Sequence, residues 1–138
     1  MSLVLHSSVV CGWFLENHAT AYTEAMLERL RDDRAVVPTL WELEFANVLR
    51  TACLRQRMTA EAAQHVIAQI VSLPIDVDRH AVPPRELLAL ALRFGLSTHD
   101  ATYLELALRL QLPLATGDGP LREAALASGV GIAAAAPG

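Results

Sequence analysis

At 138 residues, 53% of them hydrophobic and with only 7 Gly and 7 Pro, the chain has the length of one domain with one core, which excludes a disordered or fibrous protein. Alanine and leucine, 23 of each, make up a third of it, a helix-rich composition. Eleven Lys+Arg against fifteen Asp+Glu give a net charge of −4, which excludes a module that holds nucleic acid by its overall field. A local basic patch remains compatible; all eleven cations are Arg, which a GC-rich genome is enough to explain, although forked guanidinium donors also suit phosphate oxygens. Cys11 and Cys53 lie in apolar segments without CxxC spacing, so neither a disulfide framework nor a zinc site is expected, and a reducing cytoplasm is. Charged residues interrupt every apolar run short of the roughly 18 residues that a membrane span needs.

The chain opens with a short aliphatic strand, Leu3–Leu5, that ends in the polar run His6-Ser7-Ser8 and passes into a short helix through Trp13-Phe14. Tyr22, Ala25, Met26 and Leu30 recur at helical spacing within a helix from Ala19 to about Arg31, and 35–38 reads as a brief strand. Thr39-Leu40-Trp41-Glu42 is a capping-box pattern opening a helix that runs to Leu54. Thr59 caps a further helix to about Ser72, and 73–78 alternates as a strand. A helix from about Arg85 stops at Gly95, Ser97 caps another that ends near Leu110, and 112–116 reads as a strand. The turn 117–120, a helix over 121–127 and a last strand Val130–Ile132 follow. Strands alternating with helices predict an α/β fold with a mainly parallel sheet. The expectation is a single domain over 1–132, with 133–138 a frayed tail.

Two acids sit where a core should be. At about 100° per residue, Glu44 falls inside the apolar arc of Leu40, Trp41, Phe45, Val48 and Ala52, and Asp100 lies in the middle of the face formed by Ala101, Tyr103, Leu104, Ala107 and Leu108. A carboxylate facing a core is costly without a cation, a donor cluster or a metal. Asp118 follows the strand 112–116 as His6 follows the first strand, and ligands collect beyond the carboxyl ends of parallel strands. Acids converging there suit Mg²⁺ or Mn²⁺ and phosphodiester hydrolysis. Each also has a purely structural reading: Asp100 as the fourth residue of a capping box from Ser97, Glu44 as the partner of a buried Arg, and Asp118 as a turn residue.

The stretches 3–10, 37–49, 96–107 and 113–118 together resemble the PIN-domain ribonucleases of the VapC toxin type, across nearly the full length of the chain. That resemblance implies a three-layer α/β fold, metal-dependent endonuclease activity on RNA with Mg²⁺ or Mn²⁺, and inhibition by a cognate antitoxin. It also implies homodimers that assemble further with the antitoxin. Glu44, Asp100 and Asp118 match three of the family's four metal-site acids, Thr116 its neighbouring hydroxyl, and Ser7 and Asn47 its supporting polar positions. The fourth acid, an Asp at the end of the first strand, is His6 here. Imidazole removes a negative charge and replaces a hard oxygen by a borderline nitrogen, which predicts weaker Mg²⁺ binding and reduced cleavage.

Arg50, Arg55 and Arg57 lie at the end of the helix that carries Glu44, with Arg50 and Arg57 on nearly one face, and are candidate contacts for RNA phosphates. A solvated basic helix end explains them equally well. Trp13, Phe14, Tyr22 and Met26 mark a candidate groove for an antitoxin segment, with core packing the commoner explanation for each residue. The rival reading is a catalytically inactive PIN-like module that still binds antitoxin or RNA.

Overall fold

The computed structural model describes residues 1–135. Four strands form one all-parallel sheet: β1 (Ser2–Leu5), β2 (Arg34–Pro38), β3 (Ile75–Asp78) and β4 (Leu114–Ala115), in the spatial order β3-β2-β1-β4. Leu3, Val4, Leu5, Ala35, Val37, Leu114 and Ala115 are all fully buried, as expected of a parallel sheet covered on both faces. Helices α1 (Ser7–Phe14), α2 (Ala21–Arg29), α3 (Thr39–Leu54), α4 (Ala60–Val71), α5 (Pro84–Phe94), α6 (Thr98–Leu110) and α7 (Gly119–Ala127) flank it, giving the expected three-layer α/β architecture. None of the described helices is long and apolar enough to cross a membrane.

Local chemistry sets most boundaries. The Thr59 side chain accepts from the Ala62 N–H at the start of α4, Ser97 does the same for Asp100 at the start of α6, and α5 ends at Gly95 with φ 66°, the left-handed conformation that glycine adopts without strain. The capping box at Thr39 does not form: Pro38 is the N-cap and offers no side-chain acceptor, Thr39 is already helical, and Glu42 instead reaches Arg79 at 3.2 Å. The last strand shrinks to one bridge, Leu114 with Ile132. Beyond it Ala133 is buried, its N–H donating to the Leu114 carbonyl and its own carbonyl accepting from the Tyr22 hydroxyl at 2.7 Å, while Arg29 donates to the carbonyl of Ala134. The start of the expected tail is therefore held, and 136–138 lie outside the described residues.

Close packing of α1 on α2 depends on Gly12. A Cβ added there would stand 2.5–2.6 Å from three side-chain atoms of Thr23. Thr23 cannot turn aside cheaply, because it is buried and forms a reciprocal capping box with Thr20. Gly12→Ala is expected to destabilise the fold by about 1–3 kcal/mol, the usual cost of overpacking, and an unchanged denaturation midpoint would remove this account of the contact.

A second tie joins β3 to α6. Arg109 donates to both oxygens of Asp78, at 2.9 and 3.2 Å, and to Glu105 at 2.6 Å. The Arg109 hydrogen bond holds the Asp78 carboxyl below the usual carboxylate range against the opposing effect of burial. A carboxyl depressed in the folded state stabilises fully above its unfolded value, about pH 4, and loses that contribution as pH falls through the folded value. Arg109→Met is expected to cost about 1–3 kcal/mol at neutral pH and to flatten the loss of stability below about pH 4. Urea unfolding across that range, with the variant's acid slope unchanged, would count against the tie.

Candidate active site

The site is built where β1 and β4 end side by side. Leu5 is in register with Ala115, and the His6 N–H donates to the Ala115 carbonyl at 2.9 Å, which sets His6 beside Thr116 at the carboxyl edge of the sheet. His6 is the N-cap of α1 and is 6% exposed. Its Nδ1 lies 2.7 Å from Ser8 Oγ and 3.1 Å from Thr116 Oγ1, and its Nε2 lies 3.1 Å from Asp100 Oδ1.

These partners assign the tautomer. Ser8 Oγ accepts from the Gly117 N–H and Thr116 Oγ1 from the Asp118 N–H, each at 3.0 Å. The Asp100 carboxylate only accepts, so Nε2 carries the proton it faces, and the single lone pair of Nδ1 is left to take a proton from one of the two hydroxyls. The imidazole of His6 faces Asp100 with a proton, not with a lone pair.

Asp100 is held half-buried in the first turn of α6. Only half of the capping box forms: its backbone N–H donates to the Ser97 hydroxyl oxygen at 3.1 Å, but its carboxylate turns away from the helix end to His6. One turn along α6, Tyr103 is fully buried, its ring meeting that of His6 edge-on at 4.7 Å and 85°. The Tyr103 hydroxyl donates to Glu44 Oε1 at 2.5 Å, so the apolar-facing acid of α3 is satisfied by a phenol from α6 and not by an arginine. Burial first, and then the hydrogen bond to Glu44, push the Tyr103 phenol far above its ordinary range, while Ser7 works against that shift. The phenol is a permanent donor. Cys11 is likewise pushed up, by burial first and then by the Glu44 charge, and stays a neutral thiol.

Asp118 is the N-cap of α7, with Oδ2 accepting from the Leu121 N–H at 2.9 Å. Its turn role is real, and it occupies one carboxylate oxygen. Glu44, Asp100, Asp118, Thr116 and Ser7 are thus brought to the end of the sheet around His6. Asn47 is exposed one turn beyond Glu44 on α3, and Arg50, Arg55 and Arg57 are exposed farther along. Arg57 does not share the face of Arg50, because α3 ends at Leu54 and Gln56, at φ 58°, turns the chain away. In the candidate groove Met26 is fully buried, and Trp13 is fixed by its Nε1–H donating to the Thr23 carbonyl at 2.7 Å. Sequence reasoning passed over Tyr103 and Ser8. The signal for Tyr103 was its place three residues from Asp100 on one helical face.

Among the described residues, no three His, Cys, Asp or Glu side chains are gathered so as to hold a metal ion. His6 presents a proton to Asp100, Glu44 is held by Tyr103, and Asp118 closes α7. As they stand, these side chains do not fit a divalent cation bound through oxygen ligands.

Comparison with known proteins agrees with this architecture. The family model "PIN domain" matches residues 3–126. Ribonuclease VapC12 of Mycobacterium tuberculosis is 31% identical over 121 residues, covering 88% of this chain and 90% of the relative. Ribonuclease VapC1 of the same species is 33% identical over 97 residues, or 69% and 71% of the two chains. Among solved structures, PAE2754 from Pyrobaculum aerophilum superposes with a TM-score of 0.68 at 21% identity, covering 90% of this chain and 84% of that one. VapBC2 from Rickettsia felis, bound to a DNA fragment from their promoter, superposes at 0.61 with 14% identity, covering 86% and 89%.

Proposed function

Since the chain belongs to the PIN domain family, we propose that it is a VapC-type toxin, an endoribonuclease whose divalent-metal-dependent cleavage of RNA is weakened by His6. The observation that carries the reading is the 3.1 Å hydrogen bond from His6 Nε2 to Asp100. It engages, by a protein proton, a carboxylate that would otherwise face the cation. Glu44, Asp100 and Asp118 are the acids of the site on this reading, with Ser7, Asn47 and Thr116 in supporting places and His6 standing where a fourth acid is expected. The partners that go with the reading are RNA and a cognate antitoxin, with a second copy of the chain. Leu88 and Leu92, 53% and 76% exposed one turn apart on α5, support a protein-covered surface.

The test is cleavage of a panel of structured RNAs by the purified chain in Mg²⁺, Mn²⁺ or EDTA. Slow, chelator-sensitive cleavage is expected. Cleavage undiminished by EDTA would overturn the metal-dependent reading, and complete silence in both metals would favour the alternative, a module that binds without cutting.

A further inference from the structure

We infer that Arg57 and Arg122, joined through His18, form a phosphate-binding track that leads an RNA strand to the Asp118 side of the site; the inference rests on the RNA reading above. Two cavities lie along this line. One, of about 550 Å³, is lined by Ser8, Thr116, Asp118 and Arg122; the other, of about 470 Å³, by Phe14, Glu16, Arg57 and Met58; and His18 lines both. The shared residue ends the 3-10 turn Glu16–His18 and sets the two cavities side by side, and the trough of this proposal runs past it from one to the other.

Charge and place together select the two arginines: six of the eleven form no ion pair among the described residues, and of those six only Arg57 and Arg122 line the two cavities. Of the eleven in the chain, Arg29, Arg31, Arg34, Arg79 and Arg109 are held in ion pairs with acids. Arg57 and Arg122 form none among the described residues, and both are exposed. With a net charge of −4, the molecule has no general attraction for a polyanion, so any grip must come from such local, uncompensated cations.

The end walls of the trough point the same way. Most of the N-terminus of α7 is closed to a phosphate, because the Leu121 N–H is taken by Asp118 Oδ2, the Arg122 N–H by the Asp118 carbonyl, and Pro120 has no N–H to give, which leaves only the Gly119 N–H. The guanidinium of Arg122, one turn inside that helix, is left as the charged donor on this wall. At the other end, the left-handed Gln56 carries Arg57 off the axis of α3 toward the 3-10 turn. Arg50 and Arg55 stay on the exposed end of α3 and line neither cavity. Glu16 and Asp118 are the acids of the trough, and the track runs between them.

The experiment is fluorescence anisotropy with a labelled single-stranded RNA oligomer in EDTA, which removes cleavage from the readout, over a salt series. Each single-strand phosphate contact contributes about 0.7 to the slope of log K against log salt. Arg57→Ala and Arg122→Ala should each reduce the slope by about 0.7 and weaken binding about fivefold at 0.1 M salt. Arg122→Lys should retain the slope, since an ammonium also serves as a point charge for phosphate. Arg85→Ala, on α5 and outside both cavities, should leave it unchanged. RNA binding by the unaltered chain with slopes unchanged in both alanine variants would overturn the track alone and hand the trough to a protein segment. No RNA binding by the unaltered chain would overturn the RNA reading, and the track with it. Both arginines are exposed, and matching circular dichroism of the variants confirms that folding is not what has changed.

Discussion

His6→Asp should raise chelator-sensitive RNA cleavage by on the order of tenfold or more, and should make the stability of the domain depend on Mn²⁺. In the unaltered chain Nε2–H donates to Asp100 and Nδ1 is enclosed by the hydroxyls of Ser8 and Thr116. Both nitrogens are engaged by the protein, and none offers a lone pair to the space beside Asp100. A carboxylate at this position accepts only, so the proton now given to Asp100 disappears and two like charges face each other. Without a cation that arrangement is unfavourable, and a loss of about 1–3 kcal/mol is expected for the metal-free variant. A cation relieves the repulsion, and saturation at about 100 times its Kd returns about 2.7 kcal/mol. Thermal melts of both proteins with and without Mn²⁺ read this directly, independently of any RNA. A variant whose melting temperature ignores Mn²⁺ would show that His6 is not what keeps the cation out.

How much of this could be read from the chain alone differs between elements. The bounds of α4, α5 and α6 follow from Thr59, Gly95 and Ser97 because their signals are local: a hydroxyl for an orphan N–H, or a residue without Cβ at a left-handed turn. The start of α3 misleads for the same reason, since a capping box looks alike whether or not the helix has already begun at Thr39. Strand Val130–Ile132 looked independent but has only Leu114 of the short β4 to pair with. For the site, the helical periodicity identified Glu44 and Asp100 as acids out of place, yet their partners were invisible. Tyr103 reaches Glu44 across 59 residues of sequence, and His6 reaches Asp100 across 94. Contacts of that kind are set by how α3, α6 and β1 pack, and no local pattern encodes them. Arg57 marks the opposite case, in which a helical extrapolation past Leu54 assumed a face that the left-handed Gln56 removes.

Tyr103→Phe tests the tie that fixes Glu44. The phenol is fully buried and remains protonated, so its hydroxyl is a fixed donor to Glu44 at 2.5 Å. Phenylalanine preserves the edge-on contact with His6 and the volume of the core, so the variant removes the hydrogen bond and little else. The remaining carboxylate is half-buried and recovers part of its solvation from water. The expected loss is therefore about 1–2 kcal/mol, toward the low end for a charged acceptor that loses its donor, or about 3–7 °C in melting temperature for a domain of this size. Pairing it with Glu44→Gln in a double-mutant cycle separates the bond from the packing, with a coupling of about 1 kcal/mol or more expected. Strictly additive losses would mean that Glu44 is held by α3 alone, and that Tyr103 serves only to fill the core beneath His6.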